Sequence, residues 1–177
     1  LPLPNDKKSW EEHYPELEDH VYASGSPRVD FWRSDFNPYY AENVRIIAEQ
    51  YGRYVLIPSN FPLANGYMSL DQRIEQGRKN GSLSSEADEQ ALRDNVEDTQ
   101  RMFEHFVELL SELSEGYPSV NFIVRPHPVE KLSEWERRLA SLANVHVVFE
   151  GSVTQWVKGA EAIIHNGCTT GLEARFS

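Results

Sequence analysis

Five short runs of apolar, partly β-branched residues, each set apart from the next by helix-patterned sequence, constrain this chain more than any other feature. They lie at 20–24, 54–59, 121–125, 145–149 and 162–165. Such runs are apolar throughout and do not alternate, which is the pattern of parallel strands covered by helices on both faces. The segments between them supply the helices. Asn37-Pro38 reads as an N-cap followed by Pro at the first helical position, with Val44, Ile47, Ala48 and Tyr51 at helical spacing. Ser133-x-x-Glu136 and Ser152-x-x-Gln155 read as capping boxes, and Gly52 and Gly159 as helix ends.

The longest helix is expected over about 84–115. Leu92, Val96, Phe103, Phe106, Val107, Leu110 and Leu113 recur at spacings of three and four on one face. The opposite face is acidic, from Glu86 to Glu112, and reads as solvated. At about 1.5 Å per residue this helix exceeds what a crossover needs, so its first turns are expected to project toward a partner domain or a second subunit. Ahead of it, 63–80 carries Gly66 and Gly77 with few large apolar residues and reads as a mobile excursion or lid. Together these signals predict an α/β fold, a Rossmann-like parallel sheet flanked by helices over 20–177. A linker or helix at 1–19 precedes it, and a helical excursion at 63–116 interrupts it.

Composition excludes several functions. A net charge of −11 over 177 residues argues against a nucleic-acid partner or an anionic membrane surface. It leaves room for a phosphorylated ligand, since a few amides and one or two Arg bind phosphate on an acidic protein. The single Cys168 rules out an internal disulfide and fits a reducing compartment. Metal-binding cysteine patterns are missing, and so is any Asp-x-Asp pair of the kind that holds a divalent ion on a diphosphate. No run is long enough to span a membrane, and Leu1-Pro2-Leu3-Pro4 does not read as a signal peptide.

In parallel sheets ligands bind beyond the carboxyl ends of the strands. Those ends carry the polar residues of the chain. After 162–165 comes Asn166-Gly167-Cys168-Thr169-Thr170-Gly171, a small-residue turn opening a helix, which gathers free N–H groups, hydroxyls and a helix dipole at one point and suits a phosphate. Thr169 and Thr170 serve either to bond a phosphate or to cap the helix. Glu173, in the first turn, either complements the dipole or reaches a ribose hydroxyl. Arg125-Pro126-His127-Pro128 sets an Arg suited to bidentate phosphate contact and a titratable His on a turn stiffened by two prolines. Ser59-Asn60 ends the second run, where close backbone approach to a ligand is possible. Ser24-Gly25-Ser26-Pro27-Arg28 forms another small turn, whose Arg28 either joins the site or pairs locally with Asp30. Cys168 reads as a small buried residue, and His165 as an edge histidine that lies in the cleft. Trp135 and Trp156 read as core.

These motifs, in this order, resemble a family. Ser24-Gly25-Ser26-Pro27-Arg28-Val29-Asp30, Ser59-Asn60, Arg125-Pro126-His127-Pro128 and the stretch 156–174 are similar to the C-terminal domain of GT-B-type bacterial surface carbohydrate (capsule or lipopolysaccharide) biosynthesis proteins. The non-hydrolysing UDP-N-acetylglucosamine 2-epimerases and the CDP-glycerol glycerophosphotransferases are more distant likenesses. The resemblance covers most of the chain from Val21 onward, apart from 66–97. It implies a nucleotide-binding half that holds a nucleotide-activated sugar, CMP- or CDP-linked, as a substrate and needs neither metal nor other cofactor. His127-Pro128 and Thr169-Thr170 match the motifs that contact the nucleotide in cytidine-dependent relatives, and Glu173 matches the acid that holds the ribose. The nucleotide and phosphate site implied is then Arg125, His127, Asn166, Gly167, Thr169, Thr170, Glu173, Ser59, Asn60, Gly25 and Arg28, with no catalytic residue assigned. The acceptor, a carbohydrate or a lipid-linked one, would be bound by an N-terminal domain outside this sequence. The Rossmann-like domain would likewise lack its last strand and helices, so these residues alone are expected to have little activity. The resemblance further implies a cytoplasmic location at the inner face of the membrane and is compatible with a homo-oligomer. His165-Asn166-Gly167-Cys168 departs from the Asp-Ser-Gly-Gly of the epimerases, which counts against the epimerase alternative. A scaffold domain that keeps the fold without the ligand is the non-enzymatic alternative.

Overall fold

The runs at 54–58 and 121–125 are apolar on both faces, and only the middle of a helix-covered sheet can bury both. In the computed structural model, which describes residues 4–23 and 25–177, they are the two central strands. In chain order the elements are α1 (Pro4–His13), a 3-10 turn (Pro15–His20), α2 (Pro27–Trp32), a short 3-10 turn (Ser34–Phe36), α3 (Asn37–Tyr51), β1 (Tyr54–Pro58), α4 (Pro62–Asn65), α5 (Leu70–Asn80), α6 (Glu86–Gly116), β2 (Asn121–Arg125), α7 (Leu132–Leu139), β3 (Val145–Val147), α8 (Val153–Gly159), β4 (Ala162–Ile163) and α9 (Thr170–Phe176). The four strands form one all-parallel sheet in the order β3-β2-β1-β4, with Leu56 opposite both Ile123 and Ile163. This is a Rossmann-like α/β fold.

Strand alternation divides the core in two. Ile57, Phe122, Val124 and Val145 point to one face, where Phe103, Val107 and Leu110 of α6 and Trp135 and Leu139 of α7 cover them. Tyr54, Leu56 and Ile123 point to the other, against Ile47 of α3 and Trp156 and Val157 of α8. Burying each such large side chain contributes roughly 1.5–3 kcal/mol, so the helices of both faces are held mainly by the sheet.

Several expectations are corrected. The run at 20–24 is not a strand: His20 closes a 3-10 turn, 21–23 pair with no strand, and Ser24 lies outside the described residues. A charged turn precedes these residues, and Gly25 at φ +78° and Pro27 follow, leaving no partnered length. Tyr22 is accordingly 74% exposed. Asn37 is not a cap. Phe36 holds that position, and the Asn37 side chain instead accepts from Lys158 Nζ at 2.8 Å. Ser133 lies inside α7, whose cap is Lys131. Ser152 does cap α8, accepting from the Thr154 amide at 3.4 Å, but Gln155 packs over Gly151 and does not close a box. The segment 63–80 is not a loose excursion: α4 and α5 take up all of it but 66–69. Ser69 and Gln72 form a reciprocal capping box at the start of α5, and Ser85 and Asp88 form one at the start of α6. Asn65 and Ile74 of this segment are buried.

Candidate functional site

The chain runs β1, β2, β3 toward one edge of the sheet and then returns to lay β4 on the other side of β1. The helices before β2 and β3 cover one face, and α8, before β4, covers the other. Such a reversal opens a crevice beyond the carboxyl ends of the two strands at the switch point, here β1 and β4. Ser59 and Asn60 leave β1, and residues 165–170 leave β4.

The two walls touch: Asn166 Nδ2 donates to the Asn60 carbonyl at 2.9 Å. The other end of that amide, Oδ1, is buried with no partner. Gly167 takes φ +90°, a left-handed conformation that favours glycine, and its N–H donates to His165 Nδ1 at 3.2 Å. The His165 ring lies over Gly171, where a Cβ would come within 2.3 Å of Nε2, so Gly171 is required for the ring to rest there. Cys168 Sγ sits 3.7 Å from the Pro58 carbonyl, half-buried. Thr169 is the first residue before α9 and exposed, and its hydroxyl makes no cap bond; Thr170 is buried. An open groove of about 410 Å³ runs beside β4, bordered by Ile163, His165, Gly171 and Ala174.

One turn into α9, the Glu173 side chain is 0% exposed, and neither carboxylate oxygen has a hydrogen-bond partner. Burial pushes this carboxyl above its ordinary value. The Thr154 hydroxyl opposes the shift without completing a hydrogen bond in geometry, and the charges of Arg28 and Lys158 oppose it further. Arg28 is exposed and lies over the Trp32 ring at 5.5 Å rather than pairing with Asp30. From the start of α2, Arg28 is thus near enough to Glu173 for its charge to act on that carboxyl.

Arg125 is placed differently. It is two residues after Ile123 and so shares its face, toward α8 and β3. Its guanidinium donates to the Glu150 carbonyl at 2.6 Å and the Gly151 carbonyl at 3.0 Å and stacks on Trp156 at 5.2 Å. It is 9% exposed, and burial lowers its pKa to about 10, leaving it charged at neutral pH. It braces the exit of β3 and is turned away from β4. His127 is exposed on the stiff turn, with its ring Nδ1 accepting weakly from the Val129 amide at 3.4 Å.

Sequence reasoning missed Glu130. Only 3% exposed, it accepts from Ser59 Oγ (2.9 and 3.1 Å), the Phe61 amide (3.1 Å), the His127 amide (3.0 Å) and Trp135 Nε1 (2.8 Å). Ser59 is thereby engaged inside the protein. Two signals pointed to Glu130: a buried indole N–H needs an acceptor, and an acid three residues past His127 can reach back to that amide. Thr154 and Lys158, four apart on α8, were also missed; their spacing alone carries little information.

Among the described residues no group of three His, Cys, Asp or Glu could hold a metal ion, and no helix is long and apolar enough to cross a membrane. Comparison with family models, with curated proteins and with solved structures finds no match to this chain.

Proposed function

We propose that this domain binds a nucleotide-activated sugar in the β1/β4 crevice, as the donor-binding half of a metal-independent GT-B-like transferase of bacterial surface polysaccharide assembly. The observation that carries the reading is a set of three orphaned acceptor atoms on the segment that leaves β4: Asn166 Oδ1 and both oxygens of Glu173 are buried without donors. Buried acceptors in native proteins are almost always paired, and an unpaired buried carboxylate is costly. Sugar hydroxyls are donors of the right kind to complete them. The turn at Asn166, Gly167, Thr169 and Thr170 offers amides and hydroxyls to the phosphates, and His127 stands on the neighbouring strand exit. Arg28 supplies positive charge beside Glu173. Arg125 serves this site from behind, by fixing the β3 exit. Donors aimed at the departing phosphate would stabilise the leaving nucleotide without a metal.

A thermal-shift panel of CMP, CDP, UMP, UDP and GDP on this chain tests the reading. A ligand that binds only the folded state raises the melting temperature. A selective rise with CMP or CDP is the expected outcome and agrees with a cytidine-activated donor. A rise with UDP alone moves the reading to a uridine donor, as a sugar-nucleotide epimerase would use. No rise with any of the five overturns nucleotide binding and leaves a scaffold domain.

A further inference from the structure

Four stretches of chain converge on Glu130: the β1 exit through Ser59 and Phe61, the β2 exit through His127, α7 through Trp135, and the end of α4 through the backbone bridge of Glu130 to Gly66. The next residue extends the seam, since the Lys131 amide donates to the Asn65 carbonyl at 2.8 Å and Asn65 Nδ2 returns a bond to the Lys131 carbonyl at 3.1 Å. Three of the donors reaching Glu130, two amides and an indole, cannot rotate away, and all need an acceptor. Oε1 takes both amides, while Oε2 takes the indole. A carboxylate meets that demand, because it offers lone pairs only.

We infer that Glu130 is the positioning residue of this site, an anionic clamp that fixes the His127 turn against the exit of β1. The His127 ring is exposed and held only by the long bond from the Val129 amide, so its backbone mainly sets where it stands, and that backbone donates to Glu130 Oε1. Asn60, whose carbonyl receives Asn166, is flanked by Ser59 and Phe61, and both donate to the same carboxylate. One side chain therefore sets the spacing between the His127 turn and the β1 wall of the crevice. The inference rests on the proposed nucleotide site for its ligand but not for its geometry.

Amide hydrogen exchange and CMP titration on the full chain test it together. Glu130→Ala should speed exchange at the Phe61 and His127 amides about tenfold beyond any change at Ile57 within the sheet, and weaken CMP about tenfold. Glu130→Gln can turn its carbonyl to the two amides and its NH2 to Ser59, which can accept, and to Trp135, which cannot. Its loss should therefore be relieved by Trp135→Phe: the double variant should match Trp135→Phe alone within about threefold in both readouts. Unchanged protection of the two amides in Glu130→Ala overturns the clamp. Released amides with unchanged CMP affinity overturn its role in positioning the site. Should Glu130→Ala not fold, the double variant decides: protected amides with CMP weakened about tenfold relative to Trp135→Phe contradict the inference. If the unaltered chain binds no CMP, the proposed function has lost its cytidine form, and the exchange readout alone judges the clamp.

Discussion

Two buried carboxylates stand at the same end of the sheet and are treated in opposite ways. Glu130, behind the exits of β1 and β2, receives donors from Ser59, Phe61, His127 and Trp135. Glu173, behind the exit of β4, is fully buried and receives none. The first region is a finished scaffold, in which the charge is neutralised by internal donors. The second is unfinished, and its unmet acceptors belong to the helix that follows the exit of β4. A buried charge that the fold completes tells of architecture; one that it leaves incomplete points to something the fold is built to receive.

The comparison can be sharpened at Arg125, the other buried charge of the strand ends. Its two bonds to the Glu150 and Gly151 carbonyls mark it as scaffold. Arg125→Met, which keeps packing on Trp156, should destabilise the chain by about 2 kcal/mol, since hydrogen bonds from a charged group are worth roughly 1.5–3 kcal/mol each and part is recovered by apolar burial. Urea unfolding measures this. A loss below about 0.5 kcal/mol would show that the guanidinium does not brace the β3 exit.

A smaller effect of opposite sign is expected at Glu173. Its carboxyl is raised above the ordinary 4.5 in the folded chain, first by burial. The folded state therefore holds this proton more tightly than the unfolded state, so its contribution to stability is complete below about pH 4.5 and is lost as pH rises through the folded value. Glu173→Gln removes that loss. Measured as the difference from the unaltered chain, its stability should rise steadily as pH climbs above about 4.5 toward neutral. A flat difference across that range would mean that Thr154, Arg28 and Lys158 already satisfy the charge.

The smallest effects test the helix starts. Ser69→Ala and Ser85→Ala should each cost about 1 kcal/mol, because both hydroxyls close capping boxes, whereas Ser133→Ala should cost close to nothing. Equal losses at all three positions in thermal unfolding would contradict the assigned helix boundaries.

How much of this was legible in the sequence differs by element. β1 and β2 were legible because Val55 to Ile57 and Phe122 to Val124 are apolar in both phases, and the long helix because its stripe from Val96 to Leu110 holds one face. The 20–24 run has similar residues, but strand formation needs a neighbour, and composition does not show one. Ser133 is no cap because the helix starts two residues earlier than the box requires. The box at Ser69 stood in the sequence, masked by Gly66 and Gly77, which suggested a loop, whereas the start of α6 was legible to within two residues without its box at Ser85. For the site, the strand ends were legible as the places where polar residues collect. Which of those residues the fold engages internally was not, since Arg125 finds its carbonyls 25 and 26 residues away and Ser59 finds Glu130 71 residues away.

The most direct test of the contrast is the nucleotide-induced rise in melting temperature, with CMP or CDP, compared between Glu173→Gln and Arg125→Met. The account predicts that Glu173→Gln largely abolishes the rise while its own stability is kept or increased, and that Arg125→Met retains the rise on a less stable chain. A rise preserved in Glu173→Gln and lost in Arg125→Met would contradict it, placing the ligand on the side of the sheet assigned here to scaffold.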